Sequence, residues 1–251
     1  MKQKLIIVGT GALEVEIRES ALMLGYEISN LDILKNVLII DGQNISLDNL
    51  PAKFLNLPVI SSIVDYNQFS HLPVFRSWSK NRMQAVSDVE ALGFTNWASI
   101  AHPSSVVSSS AKIGRNVFIS ANSTISSNSN IANHTFINRD VSIAHDVNIG
   151  NFCFIAPGVT VTGDLSIQDY VFIGAGSIII NNASIGSGAV VAAGSVVTRS
   201  VKDLSFVMGS PARQKNESYR NRRKKIFFIA SKYLKKLGLL SFAKSVYSRL
   251  R

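Results

Sequence analysis

From Val107 onward every sixth residue is Ile or Val: Val107, Ile113, Ile119, Ile125 and so on without a break to Val191 and Val197, sixteen positions in all. Four residues after each comes a small or branched residue, among them Ala111, Val117, Ser123, Cys153 and Ser195, and the positions between are rich in Gly, Asn, Ser and Asp. A helix buries a stripe that recurs every 3.6 residues, and a meander needs longer strands between its turns, so neither accounts for a period of six. The pattern predicts one short strand and one turn per hexad, wound so that each coil buries its Ile and Val only by stacking on its neighbours.

The first hundred residues follow another pattern. Lys4 to Val8 reads as a buried strand, Gly9-Thr10-Gly11 as a tight turn and Glu14 to Leu24 as a helix. Val37 to Ile40, Val59 to Val64 and Leu72 to Phe75 read as further strands, and Ser79 to Leu92 as a second helix. Strands alternating with helices predict a small parallel sheet, hence a Rossmann-like α/β domain over residues 1–97. The solenoid follows over 98–213. A third segment, 214–251, places Ile226, Phe227, Ile229, Tyr233, Leu237 and Leu240 at roughly helical spacing among lysines and arginines, a basic amphipathic helix with a bend at Gly238.

Charge changes the picture only in that last segment. The chain's net charge is +10, but residues 214–251 hold twelve Lys and Arg against the single acid Glu217, so the first 213 residues are close to neutral. Two readings of the tail stand side by side: a helix packed on its own assembly, or a surface contact with anionic lipid. Nucleic-acid binding has no support elsewhere in the chain. With 46% hydrophobic residues in 251 a sizeable core can form. One cysteine, Cys153, excludes an internal disulfide framework. The apolar run Leu5 to Val8 is too short for a signal-peptide core, and no stretch reaches the ~18 apolar residues of a membrane span. The expectation is a cytoplasmic protein, with peripheral contact at the inner face of the membrane if the tail binds lipid.

Three chemistries can be weighed on residues. Gly9 and Gly11, between a strand and a helix, let backbone amides approach a phosphate at a helix N-terminus, and Asp41 stands at a strand end where an acid can accept hydrogen bonds from a ribose. The dinucleotide fingerprint fails, because Glu14 occupies the place of its third glycine. His145, two residues past the core position Ile143 and followed by Asp146, lies on a solvent-facing turn, where an imidazole beside a carboxylate can serve as a general base near neutral pH. A three-histidine metal site is short of ligands: His71 lies in the first domain and His102 in the linker, leaving only His134 and His145 in the solenoid. Cys153 falls at the small inward hexad position, which argues against a covalent nucleophile.

The hexads resemble those of the hexapeptide-repeat, left-handed β-helix family. Together with His102-Pro103-Ser104, Ile137-Asn138, His145-Asp146, Ile149-Gly150-Asn151-Phe152, Ala156-Pro157-Gly158 and the closing Met208-Gly209-Ser210-Pro211-Ala212-Arg213, they resemble the bacterial sialic acid O-acetyltransferase-like and nucleotide-sugar N-acetyltransferase family. The resemblance implies a left-handed parallel β-helix and acetyl-coenzyme A as cosubstrate without a metal. It implies a homotrimer with coenzyme A in the groove between neighbouring solenoids, and a nucleotide-linked amino sugar, or a sugar hydroxyl, as acceptor in surface-glycan synthesis. A catalytically silent scaffold that binds a sugar nucleotide is the alternative of another class. By the same resemblance His145 is the base and Asp146 its orienting acid, Asn138 a substrate-side group, and the Gly163 amide the donor to the acetyl oxygen. Gly174, Ala175, Ala193, Pro211 and Arg213 are implied cofactor contacts. Leu13 and Phe154 stand where the family often carries acceptor-side histidines, a departure that bears on the acceptor rather than on acyl transfer.

Overall fold

The structure, a computed structural model, describes residues 4–8, 12–29, 74–76, 82–91 and 93–214. Gly9, Gly11, Asp41, His71, the strands expected over Val37–Ile40 and Val59–Val64, and the tail from 215 onward lie outside the described residues.

The hexads form a three-sided parallel solenoid of about six turns, consistent with a left-handed β-helix. Each side is a ladder of two- or three-residue strands repeating every 18 residues. The first face stacks Phe118–Ile119, Phe136–Ile137, Phe154–Ile155 and Phe172–Ile173; the second stacks Thr124–Ile125, Ser142–Ile143 and Thr160–Val161; the third stacks Asn130–Ile131, Val147–Ile149 and Leu165–Ile167. The second residue of each pair points inward, and Ile119 to Val197 are at most about 1% exposed along this axis. The ladder starts one hexad earlier than the Ile/Val pattern shows, since Ile100–Ala101 pairs with Phe118–Ile119; Ala101 satisfies the fold with a smaller side chain. The final coil is two residues short: Val191 pairs with Val207 and Ile185 with Val201, sixteen residues apart, which explains why the pattern ends at Val197.

From Asn116 onward most turns hold one residue in the left-handed region, which an L residue enters at a cost that is smallest for Asn and Asp and absent for Gly. That position recurs at every sixth residue as Asn116, Asn122, Asn128, Asp140, Asp146, Gly158, Asp164, Gly176 and Asn182. At one corner it is taken by His134, Phe152 and Tyr170, whose rings stack along the solenoid at 4.7 and 5.5 Å between centroids. Inward-facing hydroxyls are satisfied by a second repeat. Ser123, Ser129, Thr135 and Ser177 each donate to the carbonyl fifteen residues ahead, and Ser123, Ser129 and Thr135 also accept the amide eighteen ahead, so that burial leaves these groups paired. The Cys153 thiol follows the same rule, 3.0 Å from the Gln168 carbonyl and fully buried, which removes it as a nucleophile.

Before the solenoid, strands β1 (Lys4–Val8), β2 (Glu27–Ser29) and β3 (Val74–Arg76) form a parallel sheet in the order β2-β1-β3, with helices α1 (Ala12–Met23) and α2 (Arg82–Ala91). The short strand β2 has no counterpart in the sequence reading, and β3 sits slightly later than the expected Leu72–Phe75. This unit packs on the first face. The outward residues there are aromatic, and Phe118, Phe136 and Phe154 are covered together with Ile17 and Ala21 of α1 and Phe75 of β3. Phe154 therefore belongs to a packed ladder, stacked between Phe136 and Phe172 at 5.8 and 5.5 Å.

Candidate active site

His145 sits on the corner between the second and third faces because Ile143 must point inward, which turns the residue two places on toward solvent. Asp146, next to it, holds the left-handed turn position with φ 57°, a conformation that a short acidic side chain tolerates. The pairing that results is local: His145 Nδ1 lies 2.8 Å from Asp146 Oδ2, with about half of each side chain exposed. The carboxylate accepts the Nδ1 proton, so Nε2 is the nitrogen left with a free lone pair. The Asp146 hydrogen bond, assisted by the charge of Asp164, raises the pKa of His145 above its ordinary 6.5, while the imidazole and a hydrogen bond from Asn128 hold Asp146 below the usual carboxylate range.

Gly163 lies one coil further on. A methyl group there would come 2.9 Å from His145 Cε1, 3.0 Å from Nε2 and 3.1 Å from the His145 carbonyl oxygen, so glycine is what leaves room for the ring. Its own N–H meets no acceptor among the described residues. An amide with no acceptor among the described residues thus stands beside an exposed, oriented imidazole. Gly163→Ala is expected to turn the ring away and reduce turnover by on the order of a hundredfold, with the melting transition unchanged; steady-state kinetics and circular dichroism on the same preparation check this.

The other histidines described have structural work. His134 stacks on Phe152, meets Trp97 edge-on and bonds Asn116, and His102 Nδ1 accepts the Ser104 amide within its own turn.

The remaining residues named from the sequence lie elsewhere. Asn138, 6% exposed, is on the corner between the first and second faces, where its side-chain oxygen accepts the Arg139 amide. On that same corner, later coils bring Gly174 against Ala193, so closely that a Cβ on Gly174 would lie 2.4 Å from the Ala193 nitrogen; Ala175 follows. Ala212 hydrogen-bonds Val196 at the end of this edge, which brings Pro211 and Arg213 to it. One chain therefore gathers Asn138, Gly174, Ala175, Ala193, Pro211 and Arg213 along one edge of the second face, and His145, Asp146 and Gly163 along the other.

Two residues were not signalled by the sequence, Glu16 at the Asn138 corner and Asp164 at the His145 corner. Glu16 of α1 accepts the Ser120 hydroxyl and pairs with Arg139 at 3.4 Å, which ties the helix to the solenoid across more than a hundred residues. Asp164 could have been found, since it stands eighteen residues, one coil, beyond Asp146.

Residues 128–163 and 164–199 each match the bacterial transferase hexapeptide (six repeats) family. Among solved structures, the chain is similar to PerB from Caulobacter crescentus in complex with CoA and GDP-perosamine, at 26% identity over 86% of this chain and 98% of that one, with a TM-score of 0.69. It is similar to the acetyltransferase domain of PglB from Neisseria gonorrhoeae in complex with acetyl coenzyme A, at 25% identity over 86% of this chain and 100% of that one, with a TM-score of 0.70. WeeI from Acinetobacter baumannii shares the fold at 24% identity and a TM-score of 0.62, over 86% of this chain and 100% of that one. No curated protein matches the chain. With bacterial transferase hexapeptide repeats matched over 128–199 and the fold shared with two acetyltransferases covered almost end to end, the protein is an acyltransferase that carries its site on a hexapeptide-repeat solenoid.

Proposed function

We propose that this protein is an acetyl-coenzyme A-dependent N-acetyltransferase acting on a nucleotide-linked amino sugar in surface-glycan synthesis. The observation that carries the reading is the His145–Asp146 pair at 2.8 Å, with Nε2 left free and the open Gly163 amide beside it. His145 Nε2 accepts the proton that the acceptor amine loses as its nitrogen bonds to the thioester carbonyl carbon. The Gly163 N–H donates to the oxygen on which charge develops. As the C–S bond breaks, the proton held on Nε2 passes to the departing thiolate, so the products are an amide and a free thiol, with no covalent enzyme intermediate. PerB, solved with CoA and GDP-perosamine, and the PglB domain, solved with acetyl coenzyme A, support both the cosubstrate and the acceptor class.

The two edges of the second face support a homotrimer. His145 and the glycine- and alanine-lined column of Gly174, Ala175 and Ala193 flank opposite sides of one ladder, so a neighbouring copy turned about a threefold axis would lay one edge against the other. Coenzyme A would then lie in the groove, with Pro211 and Arg213 at its end. On the acceptor side, Asn138, Gly9, Gly11 and Asp41 would hold the sugar nucleotide. Incubation of the protein with acetyl-coenzyme A and a panel of sugar nucleotides, read by mass spectrometry, tests the reading. Only those bearing a free amino group are expected to gain one acetyl group; gain by sugars with hydroxyls alone would establish O-acetylation instead.

A further inference from the structure

We propose that Asp164 is a positioning residue of this site, a second carboxylate that acts with Asp146 on the His145 imidazole. The inference rests on the reading of His145 as the general base. Asp164 occupies the same turn position as Asp146 one coil further along, with φ values of 56° and 57°. Its amide donates to the His145 carbonyl at 3.2 Å, which fixes its backbone against the histidine. One nitrogen of His145 and one carboxylate oxygen from each of Asp146 and Asp164 all lie within 4.8 Å of one another, and all three side chains are exposed.

An acid at a left-handed turn position has an ordinary explanation, since Asn and Asp fill most such turns here. The stacking is what sets Asp164 apart. Among the described residues this is the one corner where two acids take the same turn position in consecutive coils, an arrangement that like-charge repulsion disfavours unless a cation lies close by. Among the described residues no Lys or Arg pairs with either acid. The preceding coil offers Asn128, which is neutral and bonds Asp146, and Gly163 brings no side chain. Among the described residues the charged groups facing the imidazole are therefore Asp146 from its own corner and Asp164 from the next coil, and both favour the imidazolium. In the reaction that charge appears on His145 when it takes the acceptor's proton, so the second carboxylate lowers the cost of the proton transfer itself.

Asp164→Asn tests this, because asparagine fits the turn and removes only the charge. In the full-length protein the His145 ring is followed by NMR from pH 5 to 9, and kcat/KM is measured over the same range. The titration midpoint of His145 is expected to fall by several tenths of a pH unit or more. The acid limb of kcat/KM should move to lower pH by the same amount, because more acid is then needed to protonate the ring, while KM for acetyl-coenzyme A stays as in the wild type. An unchanged midpoint in Asp164→Asn, alongside a clear fall in Asp146→Asn, would overturn the proposal and leave the general-base reading standing. A midpoint that falls while the rate profile stays put would overturn the general-base assignment and, with it, any catalytic part for Asp164.

Discussion

His145→Ala is expected to lose at least on the order of a hundredfold in turnover, the range for removing a positioned general base, while its thermal transition stays where it was. The side chain is half exposed and, among the described residues, hydrogen-bonds to Asp146 alone, so its removal opens no cavity and strands no buried group. The wild-type enzyme should also lose kcat/KM as the pH falls through the His145 midpoint, which lies above 6.5 because the folded protein favours the imidazolium. Protonation fills the lone pair that the acceptor's proton needs. Asp146→Asn should cost less than loss of the histidine and should move the acid limb down, since it removes an orienting charge without removing the base. Near-normal turnover by His145→Ala would refute the mechanism.

Ile155→Asp is expected to abolish folding of the solenoid. Ile155 is fully buried and pairs with Ile137 on one side and Ile173 on the other, so a carboxylate there would enter an apolar core. An unpaired charge in such a place costs several kcal/mol, comparable with the whole stability of many domains. Because each coil is stabilised by its neighbours, a defect in a middle coil uncouples both halves. Ile155→Val removes one methylene and should cost about 1 kcal/mol, which makes it the control. Expression in the soluble fraction and the thermal transition of the two variants distinguish the outcomes.

The parts of the site that could be read in advance are those the hexad places by itself. Once Ile143 points inward, the exposure of His145 and the closeness of Asp146 follow from two and three further residues of a repeating turn. The stacking of Gly163 and Asp164 over that pair follows from the 18-residue coil, although Gly163 enters the sequence analysis only through the family resemblance and Asp164 does not enter it. Phe154 shows the converse. Set against the pattern of the family it resembles, it stands where a histidine is often found, but in three dimensions it is one rung of an aromatic ladder with Phe136 and Phe172, against which α1 packs. A period of 18 in Phe118, Phe136, Phe154 and Phe172 was there to be seen, one residue ahead of the core isoleucines.

The sequence by itself determined the solenoid, its inward residues and the turn that carries His145, because a hexad's strand, its left-handed corner and its buried Ile or Val are set by neighbours a few residues away and repeated until they reinforce one another. Only the tertiary structure decided how α1 lies on the first face, that Glu16 meets Ser120 and Arg139, and that Asn138 and the column of Gly174, Ala175 and Ala193 line a different edge from His145. Those contacts join segments with no shared period. They depend on which outward face is apolar enough to be covered and on how a three-sided coil distributes successive corners in space, and neither is expressed in the spacing of residues along the chain.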